Sequence, residues 1–207
     1  MKITSVEKNK KNRNRVSVFI EGRYGFSISE EDFLCLNLYE KKEITPEEMD
    51  YVNNEILFRE AKALAVKYLA LRLRSEGELR IKLRQEDYSH ELIESVIEEV
   101  RSLGYINDKL YAQKYVYDRS KLKPKSKKML KLELKAKGIP DEIADEALDD
   151  LKVDDASVAE GLVKKKFGKY DLSDEKIVKR IYSFLHHRGF RPEIIEGIVE
   201  KIKNEPV

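Results

Sequence analysis

A chain of 207 residues that is 41% hydrophobic and 39% charged holds enough apolar material for a folded core beneath an exterior dense in charge. No run of roughly 18 apolar residues occurs, which excludes a transmembrane helix, and charge rather than an apolar stretch follows Met1-Lys2-Ile3-Thr4, so no secretory signal is expected and the cytoplasm is the expected compartment. The lone Cys35 cannot close an internal disulfide and, within Phe33-Leu34-Cys35-Leu36, is expected to be a buried structural thiol rather than a nucleophile.

In chain order, the alternation Val16, Val18, Ile20, the turn pair Glu21-Gly22 and a second alternation Tyr24, Phe26, Ile28 predict a β-hairpin. Residues 3–7 predict a third strand across a basic loop that holds Lys8, Lys10, Lys11, Arg13 and Arg15. Ser29, with Asp32 three positions on, caps a short helix reaching Leu38. Thr45-Pro46-Glu47-Glu48 combines an N-cap, a proline at the first helical position and a capping carboxylate. A long helix is therefore expected over 46–74, bent near Asn53-Asn54.

Beyond it the chain repeats. Leu83, Leu134 and Leu185 are 51 positions apart, as are Leu79, Leu130 and Ile181; Tyr88, Ile139 and Phe190; Leu92, Ile143 and Ile194; Val96, Ala147 and Ile198; and Val100, Leu151 and Ile202. In the first helix of each unit the offset is 47, linking Tyr68, Tyr115 and Leu162, with Leu69, Val116 and Val163 beside them. Four more residues in the connection from first to second helix at each step reconcile the two periods. Asn107-Asp108 and Asp154-Asp155 supply matching N-caps, and Gly104, Gly138 and Gly189 stand where helices end. The fold class is thus mainly α, a solenoid-like tandem array of three three-helix repeats preceded by a small β-hairpin/α domain. That domain occupies 1–45, the linking helix and first repeat 46–106, the second repeat 107–153 and the third 154–207. A chain beginning at Thr45 is expected to fold without the strands.

The net charge of +2 hides a sorting of charge by element. Arg72 and Arg74 precede the first of three basic second helices, which carry Arg80, Lys82 and Arg84 in repeat one, Lys127, Lys128, Lys131 and Lys135 after Lys125 in repeat two, and Lys176, Lys179 and Arg180 in repeat three. The third helices are acidic, with six carboxylates and no lysine over 141–150. A helix-turn-helix reader would need its cations on that third helix, so reading of a DNA groove is disfavoured. No glycine-rich phosphate loop, nucleophile elbow or cysteine pair occurs. His90 is expected at the surface, and the adjacent His186-His187 diverge by about 100° on a helix, too far to share a metal as an i, i+4 pair does. No catalytic residue, metal or cofactor is expected. The cations named above form the candidate partner-binding set, because a row of positive charge along a repeat array can follow an extended anionic partner. Lys128, Lys131 and Lys135 fall within about a 60° arc of one helix, all three expected to face solvent.

The chain also resembles a known family. Tyr68-Leu69-Ala70-Leu71-Arg72-Leu73-Arg74-Ser75-Glu76-Gly77-Glu78-Leu79, followed by Lys82-Leu83, resembles the opening signature of the RecX regulatory proteins. Gly104-Tyr105-Ile106-Asn107-Asp108 with Tyr111-Ala112, and then Glu133-Leu134-Lys135-Ala136-Lys137-Gly138-Ile139, resemble two further signatures, and the β segment resembles the extension of longer members. One departure is Pro124-Lys125-Ser126-Lys127, where members often carry a glycine. The resemblance implies a non-enzymatic regulator that binds the RecA recombinase and lodges in the helical groove of its filament on DNA. There it modulates, usually inhibiting, ATP hydrolysis, strand exchange and the co-protease function, within homologous recombination, DNA repair and the SOS response. A monomer with weak DNA binding and no membrane contact is expected. The rival reading is a sequence-independent DNA-binding protein whose basic second helices hold phosphates alone.

Overall fold

Three antiparallel strands, β1 (Ile3–Lys8), β2 (Arg15–Ile20) and β3 (Arg23–Ser29), lie in the order β1-β2-β3 in the computed structural model, which describes residues 1–152, 154–172 and 174–204. The expected repeat boundary at Val153 and the final residues 205–207 lie outside the described residues. Val18 pairs with Phe26 and Val16 with Ile28 across the hairpin. Glu21 and Gly22 both take positive φ, 50° and 78°, the mirror-image turn whose twist suits two adjacent strands. Asn9 donates to the hydroxyls of the buried Ser17 and Ser27 at 3.0 and 3.2 Å, so neither polar group is stranded in the sheet.

Helix α1 (Glu30–Cys35) is capped by Ser29, whose hydroxyl accepts from the Asp32 N–H at 3.0 Å. It stops three residues before Leu38, since Asn37 takes φ +51° and turns Leu38 back into the core. The expectation of a buried thiol fails: Cys35 is exposed. Two positions separate it from the buried Phe33, which on a helix is about 200° and places the thiol opposite the packed face. Helix α2 (Pro46–Tyr51) carries the full capping box, with Thr45 accepting from Glu48 N–H and Glu48 from Thr45 N–H. It runs through a π-helical segment, Val52–Leu57, into α3 (Phe58–Ala70), so the irregularity expected at Asn53-Asn54 is a widened turn inside a continuous helix. The helix ends at Ala70, short of Arg74.

The chain divides into two compact units, the first comprising 1–73 and 79–106, the second 74–78 and 107–207. In the first, Val18, Phe26 and Ile28 of the sheet pack with Phe33, Leu38, Val52, Ile56 and Leu57, and Tyr88 and Leu92 of the first repeat close the same core. Arg15 pairs with Glu60 of α3 at 2.7 Å, both side chains less than a fifth exposed, and Glu60 also accepts from the Ser29 N–H. Burial pushes the Tyr88 phenol up to about 12, which keeps it neutral under the Arg15 guanidinium 6.0 Å away. The basic loop is largely committed internally: Lys8 binds Glu30, and Lys11 reaches both the Asp87 carboxylate at 2.7 Å and the Gln85 carbonyl. A chain beginning at Thr45 would leave Glu60 without Arg15 and bare the apolar faces of Val52, Ile56 and Leu57. We therefore expect it to keep much of its helical circular dichroism but to unfold in an early separate transition that the full chain lacks. A single transition at the full-chain midpoint would show that the strands add nothing to this core.

The repeats follow as α4 (Glu76–Gln85) and α5 (His90–Ser102); α6 (Asp108–Leu122), α7 (Lys127–Lys135) and α8 (Asp141–Asp149); and α9 (Asp155–Phe167), α10 (Glu175–His186) and α11 (Pro192–Asn204). Leu83, Leu134 and Leu185 are wholly buried, and Leu79, Leu130 and Ile181 equally so within 1%. The 51-residue period also places Ile93, Ala144 and Ile195 in the core, and the 47-residue period places Ala65, Ala112 and Ala159 at fully buried positions of the first helices. The four-residue insertions differ from expectation. In repeat two they lengthen α6, which runs to Leu122 until Lys123, forced out of the helical region ahead of Pro124, ends it. Only in repeat three does the connection itself grow, to 168–174.

Within the second unit one polar clasp occurs twice. Ser75, at the start of α4, donates to the Lys137 carbonyl at 2.6 Å, and Ser126, at the start of α7, donates to the Gly189 carbonyl at 2.7 Å. The next backbone N–H in each case, Glu76 and Lys127, binds the carboxylate of Asp108 and of Asp155, each at 2.9 Å. Both serines are fully buried and also accept from the N–H three residues on, so every orphan group at these helix starts that the clasp touches is satisfied. The turns that receive the serines contain Gly138 and Gly189 at φ +78° and +80°. In repeat three, α10 starts earlier, from an Asp174 cap, and the equivalent position is the buried, apolar Ile177. Among the described residues the clasp therefore has no third copy.

Candidate partner-binding surface

The basic second helices are partly neutralised inside their own repeats. Arg80 forks onto Glu94 through Nε and Nη2 at 2.8 and 2.7 Å, and Lys131 reaches Asp145 at 2.6 Å. Both pairs join residues 14 positions apart and sit one period from each other, so a basic second helix and an acidic third helix face one another as a built-in pair. The hydrogen bond from Arg80 holds the Glu94 carboxyl below its ordinary range, and that to Asp145 raises the Lys131 ammonium. Lys131 was expected to face solvent; its side chain is only 34% exposed, folded against α8, because the carboxylate there lies within reach. Lys82 pairs with Glu86 one turn on at 2.6 Å, and Lys125 with Glu133. Glu133 also accepts from the Tyr115 hydroxyl at 2.8 Å and lies 3.5 Å from Arg119. Burial pushes its carboxyl up, but the hydrogen bonds from Lys125 and Tyr115 outweigh burial and hold it low.

Six other members of the set remain available among the described residues. Arg84, Lys127, Lys128, Lys135, Lys176 and Lys179 show no ion pair among the described residues. Arg84 and Lys135 occupy equivalent exposed positions of α4 and α7, and His186 holds the same exposed position of α10. Arg72 is exposed and Arg74 half-buried in the connection between α3 and α4. Arg180 stands over the Tyr170 ring, 5.8 Å from its centroid. His90 is exposed, as expected.

Cations outside the second helices escaped the sequence reading. Lys165, Lys166 and Lys169 end α9 and follow it, and Arg188 and Arg191 follow α10. The run Lys164-Lys165-Lys166 is visible in the sequence, but its importance depends on where the neighbouring rings fall. Among the described residues no group of His, Cys, Asp or Glu side chains gathers as metal ligands, and no helix is long and apolar enough to cross a membrane.

Comparison with known proteins matches four stretches of the chain. Residues 1–45 match the regulatory protein RecX N-terminal domain, 61–99 the first RecX three-helix domain, 107–148 the second and 154–199 the third. The chain is 30% identical to regulatory protein RecX of Clostridium beijerinckii, covering 97% of this chain and 95% of that one. It is 31% identical to regulatory protein RecX of Bacillus velezensis, covering 98% and 78%. A crystal structure of regulatory protein RecX shares the fold with a TM-score of 0.63 at 24% identity over 99% of both chains. RecX from Lactobacillus salivarius superposes with a TM-score of 0.59 at 31% identity, over 72% of this chain and 97% of that one.

Proposed function

Because the chain belongs to the RecX family of regulatory proteins, we propose that it binds the RecA recombinase, lodges in the groove of the RecA filament on DNA, and lowers its ATP hydrolysis, strand exchange and co-protease activity. It does so without catalysis of its own. The observation that carries this reading is the recurrence of one three-helix unit that presents Arg84, Lys135 and His186 at the same exposed place of successive second helices. A filament repeats its subunit at regular steps, and linked modules that each make a weak contact gain avidity without any strong single site. The internal pairs Arg80–Glu94 and Lys131–Asp145 fix which cations such contacts can draw on: those on the second helices that no carboxylate of the repeat has taken.

The test is RecA-dependent ATP hydrolysis on single-stranded DNA, titrated with this protein. Wild type should inhibit; the double variant Lys128→Glu/Lys135→Glu should need at least about ten times more protein for half inhibition, the equivalent of about 1.4 kcal/mol. Both positions are exposed, so helical circular dichroism should not change. Half inhibition at the wild-type concentration would remove α7 from the interface. Loss of inhibition in step with loss of binding to bare DNA would favour the phosphate-only reading.

A further inference from the structure

Repeat three gathers a dense set of cations around aromatic rings. Between Lys164 and Arg191 the sequence carries nine lysines and arginines against three carboxylates. Repeats one and two hold several of their cations with carboxylates, and where repeat two also sets one over a ring, as Arg119 over Tyr115, Glu133 lies beside it. Repeat three holds several with aromatic rings. Lys166, at the end of α9, and Arg188, just after α10, both stand over the ring of Phe184, 4.0 and 3.9 Å from its centroid. The ring is fixed in turn by an edge contact with the buried Phe167, 5.5 Å between centroids. Lys169 and Arg180 likewise flank Tyr170, at 5.9 and 5.8 Å.

A ring quadrupole attracts a cation but carries no net charge, so a cation held this way is positioned yet still fully positive. Two like charges fixed over one ring repel, and no carboxylate pairs with Lys166 or Arg188 among the described residues. An anion that meets both relieves that repulsion. The surface therefore fits a ligand with successive negative charges. Beside these cations Tyr170 is 43% exposed, its ring 6.4 Å from the buried Phe167 between centroids. An exposed ring among preset cations is what a flexible polyanion with flat unpaired bases can use, through base stacking in addition to phosphate contact. A duplex hides its base faces, and an acidic polypeptide has none.

We propose that the face of repeat three built by Lys166, Arg188 and Tyr170 binds single-stranded nucleic acid. The site is independent of any recombinase, and its test contains none. The full chain is titrated against a fluorescein-labelled oligo(dT) of about 20 nucleotides by anisotropy at several salt concentrations, with a duplex of equal length and polyglutamate as competitors. Wild type should bind the single strand with salt dependence. Lys166→Gln/Arg188→Gln should weaken binding at least about tenfold and flatten the salt slope by about 1.4, two single-strand phosphate contacts at about 0.7 each. Phe184→Leu keeps the packing against Phe167 but frees the cations, and should weaken binding several-fold with both charges present. Lys131→Gln, which removes a cation already neutralised by Asp145, should stay within about twofold.

Equal losses in Lys131→Gln and in the repeat-three variant would reduce the effect to overall charge and overturn the site, as would wild-type binding by the double variant. Displacement of oligo(dT) by polyglutamate at matched charge concentration would reassign the face to an acidic protein. Duplex affinity equal to that for the single strand would remove the stacking element. Circular dichroism of each variant, expected to match wild type, excludes unfolding as the cause, and Phe184→Leu tests the site without altering either cation.

Discussion

Leu134→Ala should lower stability by about 2–5 kcal/mol, and Leu83→Ala and Leu185→Ala should each cost about as much. The three side chains occupy one position of the second helix in successive repeats, and each has no exposed surface. Each removal leaves a cavity among apolar neighbours: Leu83 sits with Ala61, Ala65, Ile93 and Val96, and Leu185 with Ala159, Ile181, Ile195 and Ile198. Urea unfolding followed by circular dichroism reads the effect as a lower midpoint at an unchanged slope. Since the first leucine belongs to one compact unit and the others to the second, Leu83→Ala should advance the transition of a different part of the chain than Leu134→Ala does. A change under about 0.5 kcal/mol at any of the three would break their equivalence, being no larger than a surface substitution gives.

Those leucines were legible because a repeat converts a packing position into a sequence offset. Leu79, Leu130 and Ile181 were found the same way, and the caps at Ser29, Thr45, Asn107 and Asp154 announced themselves through local hydrogen bonding that needs no tertiary knowledge. The mainly helical class with three three-helix units and a small leading sheet followed directly. The trios Ile93, Ala144, Ile195 and Ala65, Ala112, Ala159 obey the same offsets but contain alanines, whose small size says little about burial until a neighbouring helix is known to approach.

Charge was harder to read. Counting cations by helix shows Arg80 and Lys131 as a stripe; only the facing of the second helix against the third shows that Glu94 and Asp145 take them. The repeated 14-residue separation was the available signal. Lys166 and Arg188 come together only because Phe184 and Phe167 lock their rings between α9 and α10, a juxtaposition no period encodes. Cys35 is exposed despite its apolar sequence neighbours, because helical geometry turns alternate neighbours to opposite sides.

The clasp was invisible for a similar reason, since Asn107-Asp108 reads as an ordinary cap until Asp108 accepts from the Glu76 N–H across 32 residues of chain. Its strongest test is steric. Gly138 lies at φ +78° with the Gly77 Cα only 2.8 Å from where a β-carbon would stand, and a β-carbon on Gly77 would run into the Lys137 carbonyl. Gly104 shares the left-handed backbone, φ +75°, but has open space around it. Gly104→Ala should therefore carry the backbone term alone, about 1–2 kcal/mol. Gly138→Ala carries that term and the collision, and should lose about 1–3 kcal/mol more. Gly77→Ala isolates the collision: at an exposed helical site the exchange would stabilise by about 1 kcal/mol, but here it should destabilise. Once either alanine has forced the two backbones apart the second meets less resistance, so the double variant should lose less than the sum of the single losses by about 1 kcal/mol or more. Equal losses for Gly138→Ala and Gly104→Ala, with Gly77→Ala neutral or stabilising, would mean that the start of α4 does not close on this turn in solution and that the serine clasp holds only between Ser126 and Gly189.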